Sequence, residues 1–168
     1  TIYDPHSDVG PALINNVKVV SQLNIFHNND VLGKRVLKGV TFVSPDAGAN
    51  KKTAAIAGYF GHTNFIRADK LRDLSNGNIK ETIVYADDLR GQDVMIVDDI
   101  CDGGRTFIEL AKALKAKNAG KIILYVTHGI FSKGFNVLLE GGIDEIYTTN
   151  SFISNIPGGT QVTMIDIF

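Results

Sequence analysis

The chain has 168 residues, 17 Lys and Arg against 18 Asp and Glu, a formal net charge of −1 and 44% hydrophobic residues. That length suits one domain with a substantial core, and the even charge balance offers no basic field for nucleic acid. No apolar run is long enough to span a membrane, no charged-then-apolar leader opens the chain, and the single Cys101 excludes an internal disulfide and suits a reducing, cytoplasmic setting.

In chain order, Thr1-Ile2-Tyr3 reads as a strand end and Asp4-Pro5-His6-Ser7-Asp8 as a turn. Asp8 is placed to cap a helix starting near Val9, with Pro11 tolerated in its first turn. Leu13, Ile14, Val17, Val20 and Gln22-Leu23 give that helix one apolar face. Asn28-Asn29-Asp30 and Gly33 read as a polar break. From Val40 the pattern alternates. Strands are predicted at 40–43, 64–67, 81–85, 94–97, 121–126, 145–148 and 163–167, and helices at 50–60, 106–117 and 134–139. Ser75-Asn76-Gly77-Asn78 is a turn, Gly120 a helix stop, and Gly141-Gly142 another. Apolar strands alternating with helices predict an α/β fold: a mostly parallel sheet with helices on both faces. Ligands of such sheets bind at the carboxyl ends of the strands.

The informative stretch is Val94-Met95-Ile96-Val97-Asp98-Asp99-Ile100-Cys101-Asp102-Gly103-Gly104-Arg105-Thr106. It reads as strand, tight loop and helix start. Two ionised carboxylates at the end of a buried strand repel each other and need cations or hydrogen-bond donors. The following loop offers backbone N–H groups and a positive helix end to a phosphate. A ribose phosphate supplies both kinds of partner. A helix cap with a surface salt bridge would explain the acids alone but leaves Gly103-Gly104 without a purpose. A phospho-accepting receiver domain also carries a paired acid, but near its start. Cys101 reads as a small residue in a crowded turn, because neighbouring carboxylates raise a thiol pKa.

Other segments are weaker taken singly. Val43-Ser44-Pro45-Asp46-Ala47-Gly48 fits an ordinary turn. Asn50-Lys51-Lys52-Thr53 lacks the glycine that directly precedes lysine in a nucleotide P-loop. Asp69-Lys70-Leu71-Arg72 reads as a solvated loop. His128, in Thr127-His128-Gly129, reads as a strand-end histidine bonded to backbone, with Gly129 and Ser132 as possible anion contacts.

The stretch from Asp98 to Thr106 resembles the ribose-phosphate loop of type I phosphoribosyltransferases and of ribose-phosphate pyrophosphokinases (PRPP synthetases). The loop alone fits both. The segments 43–52, Asp69-Lys70-Leu71-Arg72 and Thr127-His128-Gly129-Ile130-Phe131-Ser132 resemble the pyrophosphokinases. Asp4-Pro5-His6 resembles that family's Asp-Leu-His segment, although the family's segment continues with a glutamine and an aromatic pair where this chain has Asp8-Val9-Gly10. The resemblance covers nearly all of this chain but only about the second half of the family's usual length. Together with Thr1 in place of Met, it implies that 1–168 is one phosphoribosyltransferase-like domain of a longer two-domain chain.

The resemblance implies an enzyme that moves a diphosphoryl group from ATP to the C1 hydroxyl of ribose 5-phosphate, giving PRPP and AMP. It implies Mg²⁺ as cofactor, with His6, Asp46, Asp98 and Asp99 as metal ligands. It implies that Asp98, Asp99, Asp102, Gly103, Gly104, Arg105 and Thr106 hold the sugar phosphate. It implies catalytic Lys70 and Arg72 on a mobile loop, and a homo-oligomer. A phosphoribosyltransferase consuming PRPP and a non-catalytic phosphate-binding subunit are the competing implications. The isolated 168 residues are expected to be weakly active at most. Arg105 stands where the family's loop has glycine, which opens the expectation of a 5′-extended sugar substrate.

Overall fold

A computed structural model describes residues 1–37, 39–72, 79–156, 159 and 161–168, with main chain only at 37, 72, 79 and 80. Among these residues the strands are β1 (Ile2–Tyr3), β2 (Val19–Val20), β3 (Thr41–Ser44), β4 (Ile66–Arg72), β5 (Ile79–Val84), β6 (Val94–Cys101), β7 (Ile122–Gly129), β8 (Glu145–Thr149) and β9 (Val162–Ile165). The helices are α1 (Val9–Ala12), α2 (Gln22–His27), α3 (Asp30–Leu37), α4 (Asn50–Tyr59), α5 (Arg105–Ala116) and α6 (Asn136–Glu140). None of the described helices is long and apolar enough to cross a membrane.

Seven strands form one sheet in the order β5-β4-β3-β6-β7-β8-β9. All neighbours are parallel except β4 and β5. The chain runs outward from β3 to β4 and returns to place β6 on the other side of β3. The strand order therefore reverses between β3 and β6, and that crevice is where a sheet of this kind takes its ligand.

The central strands read as continuous apolar runs because both faces are covered. Val43, Ile96, Leu124 and Val126 pack under Phe107, Leu110 and Leu114 of α5. Phe42, Met95, Val97 and Tyr125 face the other way, against Phe26, Leu32, Val36 and Ile56 of α2, α3 and α4. The sheet with helices on both faces is thus as the periodicity predicts.

Several local expectations change. The long helix predicted after Asp8 does not form. Only α1 is helical, Asp8 makes no side-chain cap bond, and Leu13 and Ile14 are exposed. The chain instead extends into β2, parallel to β1, and re-enters helix α2 after Ser21. Ser21 and Asn24 form a reciprocal capping box there. The predicted polar break around Asn29 and Gly33 is α3, because Asn29 Oδ1 accepts from the N–H groups of Val31 and Leu32 at 3.1 Å each and starts a helix. The predicted loop 69–72 is strand, paired antiparallel with β5. Ile66 and Ala68 point inward and Lys70 follows them on the same side, so the ladder simply continues. The predicted turn 75–78 lies outside the described residues. Helix α5 ends through Asn118 at φ 58, ahead of Gly120.

At the amino ends of the strands, Arg35 of α3 binds Asp93 and Glu145 at 3.1 Å each and is itself almost fully buried. This clamp fixes the helical layer to the β6 and β8 entries. Arg35→Met should lower the urea midpoint by the equivalent of about 1–3 kcal/mol, since two charge-assisted bonds to partly exposed acids are lost. An unchanged midpoint at unchanged denaturant slope would assign the helical layer's attachment to apolar packing alone.

Candidate functional site

Strand β6 is longer than predicted and carries both acids inside it. Its burial runs through Val94, Met95, Ile96 and Val97, then Asp98 is half-buried and Asp99 buried. A cavity of about 480 Å³ opens at this end of the sheet, lined by His6, Asp46, Lys52, Lys70, Asp98, Asp99, Asp102, Gly103, Gly104, Arg105, Thr106 and Lys133 among others. It sits at the β3–β6 reversal. Every predicted site residue except Arg72 therefore meets in one place. The main chain of Arg72 lies in β4, and its side chain lies outside the described residues.

The loop after β6 turns at Gly104, which has φ 77 and ψ −7 and immediately precedes α5. A Cβ at Gly104 would stand 2.8 Å from Leu138 Cδ2, so both conformation and space call for glycine. Arg105 is the first residue of α5, with helical backbone and an exposed side chain. The left-handed turn is made by Gly104, one residue before Arg105. Lys133 reaches the same rim, with its Cε 3.6 Å from where a Gly103 Cβ would be.

The acids do not form a ready-made metal cluster. Among the described residues no three His, Cys, Asp or Glu side chains are disposed to hold one ion. The four predicted ligands line the cavity, but lysines occupy two of them. Asp46 Oδ2 pairs with Lys70 at 2.7 Å, and its Oδ1 accepts from the Ala49 N–H at 3.2 Å. Asp99 Oδ2 takes Lys52 at 3.0 Å and His6 Nδ1 at 2.9 Å. Asp98 keeps one internal bond, from the Asp99 N–H to its Oδ1 at 2.9 Å.

The electrostatics follow from this division. Burial raises Asp98, the Asp99 N–H opposes, and the negative Asp99 and Asp46 add to the rise, leaving its pKa pushed up to about 7. Burial also pushes Asp99 upward, but Lys52 and then His6 outweigh it and hold Asp99 below the usual carboxylate range. Asp46 is likewise held low, Lys70 overcoming burial. Among the described residues, Asp98 is thus the carboxylate short of counter-charge facing the cavity. Mg²⁺ retains most of its waters and needs only one or two carboxylates beside substrate phosphates. Asp98 suits that demand, and Asp46 would join it if Lys70 moved. Burial and the neighbouring Asp98 and Asp102 push the Cys101 thiol up to about 12, in line with an inert packing role.

His128 is structural. Its Nε2 faces the carbonyls of Tyr3 and Asp4 at 3.1 and 3.2 Å, and its Nδ1 meets Ser151 Oγ at 2.8 Å. Gly129 is a packing residue: a Cβ there would stand 2.0 Å from Phe131 Cε2. Ser132 is exposed and does not line the cavity.

Sequence reasoning passed over Asp4, Gln22, Lys52 and Lys133. Asp4 is 1% exposed, its Oδ2 accepting from Thr127 Oγ1 at 2.6 Å. Gln22 Nε2 donates to the Asp98 carbonyl at 2.7 Å from beneath. Lys52 did leave a signal. It sits with Lys51 in the first turn of α4, where cations oppose the helix dipole, and such a local misfit marks a residue placed for another reason.

The phosphoribosyl synthetase-associated domain model matches residues 65–167. Among curated proteins, the ribose-phosphate pyrophosphokinase of Haemophilus ducreyi is 32% identical over 124 residues, 73% of this chain and 39% of that protein. That of Mycoplasmopsis pulmonis is 37% identical over 112 residues, 66% of this chain and 35% of that protein. The chain therefore spans well under half the length of the curated relatives it matches. The crystal structure of phosphoribosylpyrophosphate synthetase from Mycobacterium smegmatis superposes with a TM-score of 0.80 at 23% identity, covering 98% of this chain and 53% of that one. Adenine phosphoribosyltransferase from Thermoanaerobacter pseudethanolicus has a TM-score of 0.50 at 19% identity, covering 82% of this chain and 90% of that one. These two likenesses give the fold, that of the phosphoribosyltransferases, and the matched domain gives the family: the chain belongs to the phosphoribosyl synthetases, the ribose-phosphate pyrophosphokinase family.

Proposed function

We propose that this chain is the ribose-phosphate-binding and catalytic part of a ribose-phosphate pyrophosphokinase. The observation that carries this reading is the meeting, in one cavity, of an acid pair, a glycine-turned helix start and the Lys70–Asp46 pair. The acids suit a sugar's hydroxyls, the helix start suits its phosphate, and the lysine suits a second phosphate group.

In this reading the C1 hydroxyl oxygen of ribose 5-phosphate attacks the β-phosphorus of ATP. The bond from that phosphorus to the oxygen bridging to the α-phosphate breaks, and AMP leaves. Asp98 and Asp99 accept hydrogen bonds from the ribose hydroxyls and orient the sugar. Residues Asp102 to Thr106 hold the 5-phosphate through main-chain N–H groups. Lys70 and Arg72 neutralise the diphosphoryl group in flight, which is most of what phosphoryl transfer asks of a protein. His6, Asp46 and Asp98 are the residues that would hold Mg²⁺, which would supply positive charge against the donor phosphates. An arriving phosphate would compete with Asp46 for the Lys70 ammonium.

Ribose 5-phosphate is retained as the acceptor. The helical backbone at Arg105 leaves the phosphate loop intact, and nothing in that arrangement requires a larger 5′ group.

Calorimetry should detect ribose 5-phosphate binding to the chain, and Asp98→Asn with Asp99→Asn should weaken it by about 100-fold or more, two charge-assisted bonds being worth about 1.5–3 kcal/mol each. Undiminished binding in the double variant would remove these acids from the sugar site. Turnover of ATP with ribose 5-phosphate, against PRPP with free bases, separates this reading from a phosphoribosyltransferase.

In the intact enzyme Lys70→Ala should lower kcat by roughly 10²–10³ with a small change in KM, as for loss of a transition-state contact. A change confined to KM would make Lys70 a ground-state contact.

The pKa of about 7 at Asp98 gives a pH signature with two opposite signs. A cation needs the ionised acid, so Mn²⁺ affinity should rise about tenfold from pH 6 to pH 8, with proton release. The ligand-free fold should behave in reverse. A carboxyl whose folded pKa is raised favours folding at low pH, and that contribution is lost as pH rises through about 7. Asp98→Asn should flatten both profiles; persistence of either slope would place the titration elsewhere.

A further inference from the structure

Lys52 has no part in the proposed reaction, yet it is heavily engaged at the site's edge. Its Nζ lies 2.8 Å from Asp4 Oδ1 and 3.0 Å from Asp99 Oδ2, and donates to the Pro5 carbonyl at 3.1 Å. Both carboxylates are buried. The two acids come from segments with no continuous ladder between them: Asp99 from the central strand, Asp4 from the turn after the two-residue strand β1.

That turn is held in an unfavourable shape. Asp4 has φ 40, in the left-handed region, directly before Pro5. Aspartate tolerates that region better than most residues, at a cost of order 1 kcal/mol or more. The shape persists because Thr127 holds the Asp4 side chain, His128 faces the Tyr3 and Asp4 carbonyls, and Lys52 ties the Asp4 carboxylate and the Pro5 carbonyl to Asp99. Two residues on, His6 projects into the cavity with a side chain 86% exposed, restrained by its one bond to the same Asp99 Oδ2. Lys51, the neighbouring lysine on α4, is exposed and meets only Asp8, at 3.5 Å.

We propose that Lys52 is a positioning residue that joins the Asp4–His6 turn to the acid pair, so that His6 and Asp99 enter the site as one unit. The same ammonium engages Asp99 Oδ2 and leaves Asp99 Oδ1, with Asp98, to meet the ligand. The second statement rests on the sugar-binding reading of the acid pair; the first does not.

The test compares five proteins. Lys52→Met removes the bridge, and Lys52→Arg keeps its charge. Asp4→Asn with Lys52→Met removes the bridge without leaving Asp4 buried and unpaired, a defect that could itself unfold the chain. Lys51→Met makes the same charge change without touching the bridge, and the wild type is the reference. The readouts are melting temperature, the order of the His6 ring by ¹⁵N NMR relaxation, and ribose 5-phosphate affinity by calorimetry. In the Asp4→Asn, Lys52→Met variant, at near wild-type melting temperature, the His6 ring should gain the mobility of an unrestrained side chain. Ribose 5-phosphate affinity should fall about tenfold, the worth of one charge-assisted bond. Lys52→Arg and Lys51→Met should stay within about threefold of wild type on the same scale. A His6 ring as ordered in the double variant as in wild type overturns the proposal, as does an equal loss of sugar affinity in Lys51→Met. Failure of the wild type to bind ribose 5-phosphate at all would instead sink the functional reading, while the NMR comparison would still judge Lys52.

Discussion

The site depends on one electrostatic constraint: two adjacent carboxylates at the end of a strand buried on both faces. Neither can be ionised there without compensation, because desolvation and mutual repulsion act together. The protein resolves this unequally. Among the described residues, Asp99 receives Lys52 and His6, and Asp98 receives the Asp99 N–H. Among the described residues, the imbalance leaves Asp98 as the less compensated acid facing the cavity. Much else in the neighbourhood follows, including the strained Asp4 turn, the lysine in the wrong turn of α4, and Gln22 reaching under the strand to the Asp98 carbonyl.

The sheet and the acid pair were legible in the sequence because each is written in contiguous residues. Strands covered on both faces appear as apolar runs, and the Asp98 to Thr106 stretch holds its acids, glycines and helix start within nine positions. The amino-terminal segment was not legible. Leu13, Ile14, Val17 and Val20 have helical spacing, but Val19 and Val20 are taken as strand by β1, a partner far weaker in pattern than the helix it displaces. Tertiary pairing overrode local propensity there. The Lys70 segment misled in a related way. A charged run reads as a solvated loop, but its outer residues only face solvent from an edge ladder whose inner positions remain buried. Lys52 was hidden for a third reason. Its partners stand 48 positions before it and 47 after it, so no window along the chain contains the interaction that explains it.

The topology accounts for why these distant pieces converge. Reversal of strand order between β3 and β6 leaves a crevice at their carboxyl ends, with Asp46 leaving one strand and Asp98–Asp99 ending the other. Helix α4 follows β3 and helix α5 follows β6, so both helix starts flank the same opening. One presents Lys52 inward; the other presents the Gly104 turn. The acid pair, Lys52 and Lys70 are carried by strands or a helix, which hold geometry better than a loop does, while His6 and Asp46 lie in turns beside them.

The two lysine–aspartate pairs differ in ways that suit different work. Lys52 has three oxygen partners from three segments, two of them buried carboxylates. Displacing it would uncover both acids at once, which is costly. Among the described residues Lys70 has one partner, Asp46, whose side chain is 39% exposed and which also holds main-chain N–H groups of its own turn. Losing Lys70 leaves Asp46 partly solvated and still hydrogen-bonded. The first pair is built to stay closed. The second can open at modest cost, which is what the role proposed for Lys70 asks of it. A site that must be both well formed before substrate arrives and able to exchange charge when it does is served by one pair of each kind.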